Sequence, residues 1–313
     1  MEFTYKSRRE WTSAAQRSVA MGTNGMVAAS QPLATLAGYR ILQKGGNAVD
    51  AAVTMVSALS VVEPHSVGLG GDAFALIYLS QEKKLIGMNA SGRAPYRANL
   101  KWFHEKGFKE MPERGMLSVT VPGALHGWAS AAERYGTLSL GELFEDAIYY
   151  AEHGFPVTEV IAGEWKEAEE ILLSQESSSK TYLINGKAPR AGQIFINRDL
   201  ARTYKKIAKD GIKTFYAGEI CDAIVDYSNQ NHGLLSHQDF KEHRTTWVEP
   251  LSTDYRGYAI YELPPNGQGL TALEMLNILE GYDIGSLKHN GSEYLHLLIE
   301  AKKLAFSDRD HFI

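Results

Sequence analysis

The residues that could do chemistry are a lone cysteine, a run of glycines, two isolated histidines and a charged tetrapeptide. Cys221 is the single cysteine of the chain, which excludes an intrachain disulfide and any multi-cysteine metal site. A thiol nucleophile needs surroundings that lower its pKa, and no thiol-protease signature surrounds Cys221. Asp308-Arg309-Asp310-His311 offers carboxylates and an imidazole for metal or acid–base work. Neighbouring residues on a helix point in different directions, so a solvated or salt-bridged helix end is expected there instead. His65 and His126 stand alone and are expected to be structural. No Gly-x-Ser-x-Gly elbow occurs, so no Ser-His-Asp set can be assembled. The glycines at Gly68, Gly70 and Gly71 invite a phosphate loop, but such loops lead from a strand into a helix. Here the order is helix, loop, strand, with no Gly-Lys-Ser/Thr following. Close backbone packing beside a sheet is the expected use of these glycines.

The elements that must position these residues are legible from caps and periodicity. Ser30, Gln31 and Pro32 start a helix, with Ser30 as the expected cap; Leu33, Leu36, Ala37, Ile41 and Leu42 continue it to Gly45-Gly46. Asn47 caps a second helix, 48–62, which is apolar almost all round and must therefore be covered on most sides. Residues 73–79 are expected to form a buried strand that returns, after a polar turn, through 85–88 as an antiparallel hairpin. Helix, helix, strand, strand suits helices laid on an antiparallel sheet, an α+β arrangement rather than a parallel one. Further on, the pattern predicts a short strand at 118–121 and a helix from Pro122-Gly123 to Tyr135. Ser139 and Glu142 form a capping box for a helix ending near Gly154. A serine-rich loop tip follows at 174–180, then a helix over 199–209. A strand at 255–263, a rigid turn at 264–269 and a helix over 270–279 complete the reading.

Composition narrows the partners. The chain has 313 residues, 44% hydrophobic, and a net charge of -5, with no basic footprint for nucleic acid or an anionic membrane surface. No stretch approaches the length of a membrane span. The opening residues Met1 to Trp11 carry no apolar run of signal-peptide length. The expected location is cytoplasmic, and the glycosylation-like triplets at Asn89 and Asn290 then carry no meaning. Neither an internal repeat nor a linker is present, so residues 1–313 are expected to form a single domain.

Several segments, taken in order, resemble the γ-glutamyltransferase family, including its cephalosporin-acylase-like members. They are Gly25 to Ala34 (GMVAASQPLA), Leu42 to Ala52 (LQKGGNAVDAA) and Gly68 to Phe74 (GLGGDAF). Val121-Pro122-Gly123, Tyr135-Gly136, Leu234 to Phe240, Asp254 to Gly257, Pro264-Pro265 and Ala305 to Arg309 follow in the same order. The resemblance implies a four-layer αββα sandwich of the N-terminal-nucleophile hydrolase type, of which this chain would be the large-subunit part. It also implies a precursor that cuts itself in two, a small subunit as partner, and no cofactor or metal. The nucleophile would be the new N-terminal threonine of that small subunit, with its own α-amine, of unperturbed pKa about 7.7–8.0, as base. No Thr-Thr-His segment of the family type occurs in the 313 residues, so no catalytic residue is expected in this chain.

The substrate implied is a small-molecule amide whose acyl part ends in a carboxylate. γ-Glutamyl compounds such as glutathione lead; glutaryl side-chain β-lactams and oxamate-type amides come next. A non-catalytic binding relative is the alternative of another class. One departure bears on this choice. The family carries an Arg-Glu pair shortly before Ala-Pro, and that arginine holds the substrate carboxylate. Aligned on Ala94-Pro95, its place is taken here by Ser91 and Gly92. Arg93 is the candidate to reach the same carboxylate from a shifted position, with Ser91 on the same wall. The alternative for Arg93 is a loop anchor on backbone carbonyls or on an acid such as Asp72.

Overall fold

The computed structural model describes residues 19–313; Met1 to Trp11, on which the expectation about a leader rests, lie outside the described residues. Helix α1 (Pro32–Gln43) starts one residue later than a Ser30 cap would place it. The Gln31 side chain accepts from the Leu33 and Ala34 amides, and Pro32 occupies the first turn. Ser30 is diverted because its hydroxyl donates to the Glu63 carboxylate, tying the start of α1 to the end of the next helix.

That helix, α2 (Ala48–Val62), is capped as expected by Asn47, in a box closed by the Asp50 carboxylate. Most of its residues are buried, among them Val53, Ala58, Val61 and Val62. The hairpin is also present: β1 (Ala73–Leu79) pairs antiparallel with β2 (Lys84–Ala90), from Ala73 opposite Ala90 to Leu79 opposite Lys84. The expectation of a buried β1 is corrected. Phe74, Leu76 and Tyr78 are 47%, 41% and 62% exposed, because β1 is an edge strand with only one face covered.

After α3 (Leu100–Glu105), residues 118–121 form no strand. The chain there bonds to neighbouring loops instead of a strand, Val121 N donating to Arg93 O (3.0 Å) and Gly123 N to Gly71 O (2.9 Å). Helix α4 (Ala124–Tyr135) follows as expected and lies close on the sheet. A Cβ on Gly127 would meet the Ala90 side chain at 2.5 Å. The Ser139–Glu142 capping box exists, but the helix it opens breaks at buried Phe144 into α5 (Leu140–Leu143) and α6 (Glu145–His153).

A two-stranded ribbon, β3 (Phe155–Pro156) with β4 (Ile194–Phe195), encloses α7 (Glu159–Glu167), α8 (Glu169–Leu173) and α9 (Glu176–Tyr182). Helix α9 replaces the expected serine-rich loop tip; a Glu176–Lys180 pair one turn apart and a Thr181 hydroxyl bonded to Ser177 O support it. Asn197 caps α10 (Arg198–Asp210), whose buried Tyr204 bonds Ser60 of α2 at 2.6 Å. Helices α11 (Lys213–Ala217), α12 (Glu219–Gln230) and α13 (His237–Glu242) lead to β5 (Thr246–Val248), which pairs with β2. The main sheet order is therefore β1-β2-β5.

The strand expected at 255–263 is instead the second half of a hairpin, β6 (Leu251–Tyr255) with β7 (Tyr258–Glu262). Arg256 and Gly257, both at positive φ (54° and 79°), make the tight turn, as right-twisted strands require. Helix α14 (Gly269–Glu280) packs on this hairpin, and α15 (Ser292–Phe312) packs on α14. Among the described residues no helix is long and apolar enough to cross a membrane.

Candidate substrate-binding site

Ser91 and Arg93 sit where β2 leaves the sheet, at a crossing of three loops. A Cβ on Gly92 would lie 1.8 Å from Val121 O, and one on Gly123 would lie 2.1 Å from Ala90 O. Neither backbone oxygen can yield, so both positions need glycine. Gly68 and Gly70 meet nothing within 4 Å. The close approach expected of that run is made by Gly92 and Gly123, while Gly71 lends its carbonyl to the Gly123 and Ala124 amides.

Asp72, at the end of the glycine run, accepts from Gly92 N at 2.7 Å. It is not the anchor of Arg93. The Arg93 guanidinium instead stacks over Tyr96, with Cζ 4.2 Å from the ring centroid, and its Nη1 donates to the Tyr96 hydroxyl at 2.6 Å. Glu242 stands 3.8 Å from Nη2, close enough for an ion pair and too far for a hydrogen bond. Its carboxylate already accepts from the Tyr96 hydroxyl and from Gln238 Nε2, and these two bonds, Tyr96 first, hold its pKa below the usual range.

One edge of Arg93 is thereby left over. Nε and Nη2 are buried and have no hydrogen-bond partner among the described residues. These two N–H groups are the parallel pair that matches a carboxylate in bidentate fashion.

Ser91 lies on the same cavity wall as Arg93, together with Asn89, Glu242 and His243. Its hydroxyl donates to Asn89 Oδ1 (2.8 Å) and accepts from Asn266 Nδ2 (3.0 Å). Asn89 Nδ2 in turn donates to Asn266 Oδ1 at 2.8 Å. The turn after β7 is thus clasped to the end of β2 beside Arg93. Tyr96, Glu242 and His243 carry no signal of this placement in their type or spacing, and Asn89 marks only a glycosylation-like triplet. The one sequence signal was the rigid turn containing Asn266.

The other candidates are placed elsewhere. Cys221 is buried, and burial, then Asp222, pushes its thiol pKa up to about 11, so it is no nucleophile near neutrality. His65 pairs with Glu164 at 2.8 Å, and His126 Nδ1 with the Thr245 hydroxyl at 2.7 Å. At the end of α15, Arg309 pairs with Asp310 at 2.6 Å and reaches Gln268 at 3.1 Å, the salt-bridged helix end expected.

The family model for gamma-glutamyltranspeptidase matches residues 34–313. The chain belongs to the gamma-glutamyltranspeptidase family. Among γ-glutamyltranspeptidase relatives it is similar to the glutathione hydrolase-like YwrD proenzyme of Bacillus subtilis (strain 168), 42% identical over 291 residues, 93% of this chain and 55% of that protein. It is also similar to the acylase ACY 1 proenzyme of Pseudomonas sp. (strain SE83), 38% identical over 304 residues, 94% of this chain and 54% of that protein. The chain spans about half the length of these curated relatives.

Two solved structures carry the same fold. The cephalosporin acylase of Bacillus halodurans matches with a TM-score of 0.88 at 42% identity, over 96% of this chain and 56% of its own. Helicobacter pylori gamma-glutamyltranspeptidase matches with a TM-score of 0.89 at 32% identity, over 95% and 86%. The α+β fold is therefore that of the N-terminal-nucleophile hydrolases, as the sequence implied.

Proposed function

We propose that this chain is the large-subunit part of a self-processed amidase or acyltransferase. Its substrate is a small amide whose acyl part ends in a carboxylate, a γ-glutamyl compound such as glutathione or a glutaryl-type analogue. The observation that carries this reading is the Arg93 edge, two N–H groups that make no hydrogen bond to any described residue on the wall shared with Ser91. Family membership supplies the chemistry. A threonine hydroxyl of the small subunit attacks the amide carbon while the threonine's own α-amine takes the proton. That proton passes to the departing amine, leaving an acyl ester that water or a second amine then releases. Donors aimed at the tetrahedral oxyanion stabilise each crossing.

Arg93 has the role of orienting the acyl group. A bidentate pair shielded from water is worth roughly 1.5–3 kcal/mol, or about one to two decades in specificity. The complete protein should cleave itself on expression and turn over γ-glutamyl or glutaryl p-nitroanilide. Arg93→Ala should lower kcat/KM for these substrates by about that factor and leave self-cleavage intact. Absence of turnover on both substrates, or full activity in Arg93→Ala, would remove the reading.

A further inference from the structure

The cavity lined by Arg93 is also lined by His243, which carries another polar atom without a partner. His243, just after α13, is 3% exposed, and its Nε2 makes no hydrogen bond to any described residue. The ring cannot swing away. Tyr216 stacks on one face at 5.8 Å with an interplanar angle of 11°, and His126 packs edge-on at 5.2 Å. Tyr216 is itself fixed, its hydroxyl donating to Pro122 O at 2.9 Å and accepting from His126 N at 3.0 Å. The His243 backbone is held as well, its amide bonded to Phe240 O (3.2 Å) and its carbonyl accepting from Arg244 Nη1 (2.6 Å).

Burial, with His126, Arg93 and Arg244 nearby, pushes the pKa of His243 down to about 4, so the imidazole is neutral near pH 7 and carries a single N–H. The charged neighbours are already engaged. Arg244 spends its Nη1 on the carbonyls of Lys241 and His243, and Glu242 accepts from Tyr96 and Gln238.

We infer that His243 is a second binding residue of the Arg93 subsite, its Nε2–H donating to the substrate carboxylate that the Arg93 edge grips. The inference rests on the carboxylate-amide reading above. A carboxylate has about four acceptor positions on two oxygens, enough for the arginine fork and one imidazole together. Binding it selects the Nε2–H tautomer. The subsite is then one fixed cation with a rigid neutral donor in the same cavity, suited to an acyl group with a single terminal carboxylate.

The test uses the complete protein and two substrates of equal length, glutaryl and valeryl p-nitroanilide, which differ only in the carboxylate. His243→Phe keeps the aromatic stack on Tyr216 and removes the donor. It should lower the glutaryl-to-valeryl ratio of kcat/KM about tenfold, mainly through KM. His243→Gln, which retains an N–H donor, should recover much of that loss. Calorimetric titration with glutarate reads the same effect without turnover, as about tenfold weaker binding to His243→Phe. An unchanged ratio with unchanged glutarate affinity in folded His243→Phe overturns the inference, and so does an equal loss on both substrates. Arg93→Ala in the same assays separates the two readings. If Arg93→Ala lowers the ratio and His243→Phe does not, only the role of His243 falls; if neither does, the carboxylate subsite falls with it.

Discussion

Asp50 is a fully buried carboxylate that is nevertheless held ionised. Burial by itself would raise its pKa. Hydrogen bonds from the Thr137 hydroxyl and from the amides of Asn47, Thr137 and Leu138 outweigh burial and bring it below the ordinary range. These bonds tie the start of α2 to the turn after α4, at 2.7 Å from Thr137 Oγ1 and 2.9 Å from both Asn47 N and Thr137 N. A depressed folded-state pKa stabilises the fold above the unfolded value of about 3.9, and the stabilisation is lost as pH falls through the folded value. Asp50→Ala should therefore cost about 3 kcal/mol at pH 7, from stranded amides and a lost charge-assisted network. Denaturant titrations at pH 7 and pH 3 check this: the gap between wild type and variant should shrink at pH 3. A gap of equal size at both would assign the loss to packing.

At the scale of elements, the site exists because three loops cross without side chains between them. Gly92 and Gly123 provide that clearance against the Val121 and Ala90 carbonyls. Gly92→Ala should cost about 3 kcal/mol or more, since backbone atoms rather than a flexible side chain stand in the way. Gly70→Ala, where a Cβ meets open space, should change stability by about 0.5 kcal/mol at most. Thermal melts of the two variants side by side decide the matter, and equal losses would mean that the crossing is not what these glycines serve.

For the whole molecule, the bare face of β1 is the dominant feature. Phe74, Leu76 and Tyr78 are exposed on a strand whose outer edge is unpaired among the described residues, a surface that invites association. On the proposed reading, the small subunit is expected to cover this face. Residues 1–313 expressed alone should self-associate, and Phe74→Ser with Tyr78→Lys should shift them toward monomer in light scattering. Unsubstituted 1–313 that stays monomeric at tens of micromolar, roughly where exposed apolar strands begin to aggregate, would count against an apolar docking face.

By itself the sequence determined what depends on neighbours along the chain. Pro32 and the Asn47–Asp50 box set the starts of α1 and α2, the polar turn set the β1–β2 hairpin, and the ordered motifs set the family. It also placed Ser91 and Arg93 side by side, because they are two residues apart. Local signals misled where a partner from elsewhere intervened, as when Glu63 drew Ser30 away from its cap, and where composition hid a helix, as in α9, whose serine-rich stretch also holds the Glu176–Lys180 pair. Only the tertiary structure decided which groups meet Arg93. Asn266 is clasped to Ser91 across 175 residues, and Asp239 holds the Tyr96 amide across 143. No periodicity encodes contacts of that span. Whether β1 is covered was equally undecidable from its own seven residues, since an apolar strand looks alike in a chain whether its second face is packed or bare, and burial belongs to whatever lies against it.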